Sequence, residues 1–140
     1  MIIPPDVEQW LCNHLRTQIT DIPRLQIGNR EPPDYDGTHP LIVIRDIPGP
    51  RTAIIAYDWA IGVTIRGWAR DNPKPCKDLA RRVLAILTDD PAIITAPNSP
   101  IAAINHTSGP TPPAGDTSPA ARYYLTVDYT IAGEIQQPQP

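Results

Sequence analysis

The side chains that could carry chemistry are few, and their spacing does not assemble a reactive site. Histidine and cysteine are common transition-metal ligands, and this 140-residue chain has three histidines (His14, His39 and His106) and two cysteines (Cys12 and Cys76). Cys12 and His14 are two positions apart, which places them on different sides of a helix. No other pair of these residues has the spacing of a metal site. The sequence therefore predicts no metal site.

Acid–base and nucleophilic chemistry is equally poorly supported. Carboxylate pairs occur at Asp34 and Asp36 and at Asp89 and Asp90, but both pairs lie beside proline, where turn formation and helix termination explain them. No serine lies in a GxSxG-type elbow, and no glycine-rich phosphate loop is present. We therefore predict that the protein is not an enzyme and binds no cofactor. An enzyme or ligand-binding domain whose site residues meet only in the folded chain is the open alternative.

Composition limits the partners and the compartment. The net charge is −3, and acids and bases are spread along the chain, so no basic stripe indicates phosphate binding. No run approaches the ~20 apolar residues of a membrane span, and the first residues lack the basic and apolar regions of a signal peptide. Cys12 and Cys76 fall in helical apolar patterns, which predicts reduced core thiols in a cytosolic protein, with a disulfide between two helices as the alternative.

The strongest pattern is one long strand followed by one helix. From Tyr57 to Ile65 apolar residues occupy the odd positions, a period of two that predicts a strand with one buried face. After Pro73 the period changes, and apolar residues recur at helical spacing over Lys74–Thr88. A strand and a helix that each have one apolar side must pack against each other or against neighbouring elements.

The remaining elements follow from the same rules. Before the central strand we predict a helix over Asp6–Ile19, a short strand over Leu25–Ile27, a loop over Gly28–Pro40, and a strand over Leu41–Ile47 that ends in a tight turn at Pro48–Pro50. After the second helix we predict strand pieces at Ile93–Ile94 and Ile101–His106 and a long strand over Arg122–Ala132. Thr107–Pro119 has no large apolar residue, which predicts a projecting arm or a mobile loop.

Together these elements predict an α+β fold. We expect a mainly antiparallel sheet of about four to five strands with two helices packed on one face, joined by long loops that hold many of the 19 prolines. Residues 1–135 should form a single domain. Gln136–Pro140 should be a polar, proline-rich tail, loosely held unless a partner orders it.

Several residues on the non-core side of these elements are of the types that protein interfaces favour. Trp68 lies on the same strand side as Asp58, Thr64 and Arg66 unless a bulge flips the register. Either a helix covers that end of the sheet, or Trp68 belongs to an interface. We select eight candidate contact residues: Tyr35, Arg51, Asp58, Arg66, Trp68, Arg81, Asp116 and Arg122. For each of them, a solvated surface residue is the alternative.

Five segments together resemble the tail terminator (tail completion) proteins of long-tailed bacteriophages. They are VEQWLCNHLR, PLIVIRD, GVTIRGWA, CKDLARRVLAIL and ARYYLTVDYTIAG, and their order and spacing cover nearly the whole chain, from Val7 to Ile135. The most specific parts are Trp68–Ala69, Leu79–Val83 and Ala121–Tyr123. The chain departs from the family in its abundance of proline and in the length of Ser99–Pro119.

The resemblance implies a structural virion protein without a reactive group. Such a subunit is made in the host bacterial cytoplasm and forms a homo-hexameric ring at the head-proximal end of the tail tube. There it stops tube polymerisation and contacts the tail tube protein and a head-completion or neck protein. DNA passes through the lumen without specific binding, which suits the mildly acidic chain. Lysine substitutions at Asp34, Asp36 and Asp116 would test that point through DNA ejection. A stopper or connector subunit of the same neck is the alternative.

Overall fold

A computed structural model describes residues 1–135 of the chain. The elements in chain order are β1 (Ile2–Ile3), α1 (Val7–Gln18), β2 (Gln26–Gly28), β3 (Leu41–Arg51), β4 (Ala56–Ala69), α2 (Lys74–Leu87), α3 (Ala92–Thr95), β5 (Ile101–Thr111), β6 (Ala120–Ala132) and β7 (Glu134–Ile135).

Five strands form the main sheet in the order β2-β3-β4-β6-β5, and β1 and β7 form a separate antiparallel ribbon. Every pairing in the main sheet is antiparallel except that of β2 with β3. The predicted α+β class with a mainly antiparallel sheet is therefore confirmed.

β4 is the central strand, and its alternation sets the two sides of the sheet. Ile61, Val63 and Ile65 are fully buried, and Trp59 is 8% exposed. The register places Val63 between Ile44 of β3 and Leu125 of β6, so apolar residues line up across three strands. The odd-numbered positions of β4 thus form the core side that the sequence predicts.

Both long helices cover that core side. The Asp6 carboxylate accepts a hydrogen bond from the Gln9 backbone N–H at 3.1 Å and caps α1, whereas α2 has Pro75 in its first turn. α1 contacts β3, α2 contacts β4 and β6, and the helices contact each other. Their buried residues belong to one apolar cluster with the strands: Val7, Leu11, Cys12, Leu15, Cys76, Leu79, Ala80, Val83 and Leu87.

The predicted strand at Ile93–Ile94 is wrong, because these residues lie in the short helix α3. The Ile93 N–H donates to the Asp89 carbonyl at 2.8 Å, and the Thr95 N–H donates to the Pro91 carbonyl at 2.9 Å, so the chain closes a helical turn there. Two β-branched residues are too few to define a period. Tertiary packing of Ile93, which is fully buried, decides the conformation.

Two loop boundaries also differ from the predictions. β3 continues through Pro48–Pro50, where a register shift accommodates the prolines, and the hairpin turns instead at Thr52–Ile55. The predicted arm or loop at Thr107–Pro119 is shorter, because β5 pairs with β6 as far as Thr111. Backbone pairing at an edge strand needs no large apolar side chain, which is why composition alone gave the wrong boundary.

Among residues 1–135, no helix has the length and apolarity needed to cross a bilayer. The predicted tail, Gln136–Pro140, lies outside the described residues.

Candidate functional site: the outer face of the sheet

The side of the sheet opposite the helices, here called the outer face, carries three of the eight candidate contact residues, Asp58, Arg66 and Arg122. It is formed by the alternate positions of the three central strands: Leu41, Val43, Arg45 and Ile47 of β3; Asp58, Ala60, Gly62, Thr64 and Arg66 of β4; and Arg122, Tyr124, Thr126, Asp128 and Thr130 of β6. Leu41 and Val43 are nevertheless buried, whereas Arg45, Ile47, Asp58, Arg122 and Tyr124 are exposed and available for other contacts.

One loop does cover part of this face, next to Arg66. The Arg66 guanidinium lies 5.2 Å from the centroid of the Tyr35 ring and 2.5 Å from the Glu31 carboxylate. The Tyr35 hydroxyl donates to the His39 carbonyl at 2.9 Å, which holds the loop in place. Arg66 is only 12% exposed at its side chain, so the chain itself already uses Tyr35 and Arg66.

Arg122 lies directly opposite Arg66 in the register of β4 and β6. Unlike Arg66 it is exposed, and it makes no ion pair with any residue in 1–135. With Arg70 and Asp116 it lines a depression of about 220 Å³ beside the β5–β6 loop. Hydrogen bonds from Ser118, aided by the charge of Arg122, hold the pKa of Asp116 below its ordinary value. We call Arg70 and Arg122 the basic end of the outer face.

Trp68 leaves this face through a bulge. The register shifts between Gly67 and Ala69, and Trp68 has a positive φ of 62°. Its side chain is partly buried and packs against the main core. The bulge that the sequence analysis considered as one possibility is therefore present, and it turns Trp68 toward the core.

At the other end of β4 the outer face is acidic. Asp58 and Asp128 line a depression of about 410 Å³ together with Asn105, Ala60 and Ile47. Asp58 is exposed, Asp128 is half-buried, and neither forms an ion pair within the described part of the chain. Ile47, on the rim, is 47% exposed. We call Asp58 and Asp128 the acidic end.

Arg81 lies away from both ends of this face, whereas Arg51 pairs with Tyr57, the residue before Asp58. The Arg51 side chain donates to the carbonyls of Ala53 and Ile54, so it holds its own hairpin loop. Arg81 is 68% exposed on the outer side of α2, 3.6 Å from the Asp78 carboxylate. The structure therefore brings together Tyr35, Arg66, Asp116 and Arg122, places Arg51 near Asp58 at the other end of β4, and leaves Arg81 separate.

An apolar patch at the hairpin end of the molecule was not predicted from the sequence. It consists of exposed aliphatic residues at the β3–β4 turn and on the β1–β7 ribbon: Met1, Ile3, Ile54, Ile55 and Ile135. The Gly133 N–H donates to the Ile55 carbonyl, and Ile2 pairs with Ile135, so the turn and the ribbon are adjacent. The signal that could have revealed this end patch is the pair Ile54-Ile55, but it is informative only once the turn is placed at Thr52–Ile55, where polar residues are usual, and the sequence placed the turn at Pro48–Pro50.

The cysteine thiols and the acidic side chains do not form a reactive or metal-binding site in the described residues. Cys12 and Cys76 are free and buried, and burial raises the pKa of Cys12 to about 11 and that of Cys76 to about 12. Both thiols therefore stay protonated near neutral pH. No group of three or more His, Cys, Asp or Glu side chains within residues 1–135 is arranged to hold a metal ion.

Comparison with known proteins does not assign this chain to a family. The sequence matches no protein-family model, and no curated protein matches it significantly.

Proposed function

We propose that this protein is a tail terminator: a structural virion subunit that forms a homo-hexameric ring at the head-proximal end of a phage tail tube. In that position it stops tube polymerisation and provides the surface that joins the tail to a head-completion or neck protein. The proposal starts from the family resemblance of five segments. It is supported by their arrangement, since both resembling helices lie on one side of the antiparallel sheet formed by the resembling strands.

The observation that carries the proposal is the apolar end patch. Large exposed apolar groups gathered at one place mark interaction surfaces, and Ile54 is 77% exposed and Ile135 65% exposed. A ring subunit that closes a tube needs such a surface at one end, in addition to the two surfaces that contact its ring neighbours. We assign the end patch to the contact with the tail tube protein.

The outer face supplies different groups at its two ends, as a ring requires. Contacts in a ring are heterologous, so each subunit uses two unlike surfaces. The proposal also retains passage of DNA through the lumen without specific binding, consistent with a net charge of −3.

The test is to disrupt the coding sequence in a phage that carries it and to image the particles. We expect tails of uncontrolled length and heads without tails, and an Ile54→Asp variant should reproduce the overlong tails because it places a charge in the end patch. Thr52→Asp, in the same turn but outside the patch, is the matched control and should give normal tails.

Other outcomes separate the alternatives. Tails of normal length that fail to join heads would assign the chain to another neck component, such as a stopper or connector. Normal, fully joined particles after disruption would contradict a role in the neck.

A further inference from the structure

We infer that ring neighbours join through the outer face, with the acidic end of one copy against the basic end of the next. The inference rests on the proposed function, in which the chain forms a ring, and it names the two surfaces that make the contact. The occupant of the acidic depression is therefore a second copy of this chain, presenting Arg122.

The two ends are well separated on one continuous surface. Asp128 is opposite Ala60 of β4, and Arg122 is opposite Arg66, six residues further along. At about 3.3 Å per strand residue the two charges are about 20 Å apart. That separation is too great for Asp128 and Arg122 of the same chain to neutralise each other, because it exceeds the Debye length of ~8 Å at physiological ionic strength.

The charges nearest the two ends are already engaged elsewhere. Arg51, beside Asp58 in the register, donates to the carbonyls of its own loop, and Glu31 pairs with Arg66 opposite Arg122. Arg45, the other arginine of β3, is opposite Gly62, two strands away from β6. His106 is opposite Asp128 but forms no ion pair with it. Asp116 weakens the field of Arg122 without an ion pair, which leaves the exposed guanidinium free to find a carboxylate elsewhere.

Each charge also has an apolar neighbour on the same surface. Ile47 lies beside Asp128 on the rim of the acidic depression, and Tyr124 is two positions from Arg122 and 38% exposed. Interfaces combine apolar and aromatic contact with matched charges, which fix register and orientation. The two ends thus offer complementary charge and exposed apolar contact. The right-handed twist of the strands between them turns the two ends toward different directions, as a head-to-tail contact requires.

Strand addition at the β3 edge is a weaker alternative for the same assembly. The backbone N–H of Asp46 is already bound by the Glu8 carboxylate at 2.7 Å, and Pro48, two residues on, has no N–H to donate. Side chains of the outer face therefore remain the available groups next to that edge.

The experiment swaps the charges at the two ends and measures the mass of the assembled protein in solution. Asp128→Arg alone and Arg122→Glu alone should each shift the assembled protein to the 15.4-kDa monomer, because each variant places like charges in every contact. An equimolar mixture of the two should recover the assembled mass, since alternating copies then face each other with opposite charges. Arg81→Glu, on the far side of α2, is the control and should assemble normally. Circular dichroism of each variant checks folding, and Asp58→Arg replaces Asp128→Arg if the latter is unfolded.

Each result decides the inference. Assembly that persists in both single variants, or a mixture of two folded variants that stays monomeric, overturns the head-to-tail contact. If rings persist in both variants while gene disruption still gives overlong tails, only the contact is wrong. If the wild-type chain is monomeric at every concentration, the contact is wrong and the gene disruption decides the proposed function separately.

Discussion

The inner and outer faces of the central sheet are built from the same strands, yet their side chains differ in burial. On the inner face, Val63 and Leu125 are almost completely buried beneath the helices. On the outer face, the adjacent Thr64 and Tyr124 remain at least partly accessible. Period-two alternation therefore buries one side of β4 and β6 in the core and leaves the other side at least partly accessible.

The largest expected difference between the faces is in stability. Leu125→Ala on the inner face should lower the free energy of unfolding by about 2–5 kcal/mol, because it removes buried methyl groups and leaves a cavity. Thr126→Ala, the next residue and on the outer face, should change it by less than about 0.5 kcal/mol. Urea denaturation of both variants checks this, and similar losses at the two positions would contradict the assignment of the faces.

A smaller effect is expected at a buried hydroxyl. Tyr129 donates a hydrogen bond of 2.6 Å to the Leu87 carbonyl, at the last turn of α2, where carbonyls lack helical partners. Tyr129→Phe leaves that buried acceptor unpaired and should cost about 1–3 kcal/mol.

The matched variant for this comparison is Tyr124→Phe on the outer face, where the side chain is 38% exposed and its hydroxyl can reach water. Its unfolding free energy should stay close to that of the wild type. If thermal denaturation shows equal losses for the two tyrosines, the Tyr129 bond is not a stabilising feature of the inner face.

The smallest effect concerns Asp46, at the margin of the core. Burial, assisted by Glu8, raises its pKa, although the hydrogen bond from Trp59 Nε1 at 2.9 Å opposes that shift. An acid whose pKa is raised by folding loses stability as pH rises from its unfolded pKa through its folded pKa. Asp46→Asn removes this loss and keeps an oxygen for Trp59.

We therefore expect Asp46→Asn to be at least as stable as the wild type at pH 7, with an advantage that disappears as the pH falls below the ordinary aspartate pKa. Urea denaturation across this pH range measures the difference. An advantage that grows toward low pH would contradict the sign of the shift.

The inner face was predictable from sequence because its signals are local. The alternation at Tyr57–Ile65 and the apolar stripe of Lys74–Leu87 each follow from one short period, and the structure confirms both. α3 was not predictable in this way, because its four residues contain no complete period and the burial of Ile93 decides its conformation.

The outer face depends on register and was only partly predictable. Alternation placed Asp58 and Arg66 on one side, but it could not show that Glu31 and Tyr35 fold back onto Arg66. Nor could it show that Asp128 aligns with the Asp58 end, because that requires the pairing of two strands about 70 residues apart in the chain. The end patch was not predictable either, because it brings residues from both ends of the described chain next to the β3–β4 turn.

The central claim is that opposite charges on the outer face hold ring neighbours together. The most direct test is the mass of the wild-type protein in solution, measured by light scattering at fixed concentration from low salt to about 1 M salt. At 1 M the Debye length falls to about 3 Å, which screens exposed charge pairs. We predict an assembly of six 15.4-kDa chains at low salt that dissociates as salt rises. A ring whose mass does not change with salt, or a monomer throughout, would contradict the claim.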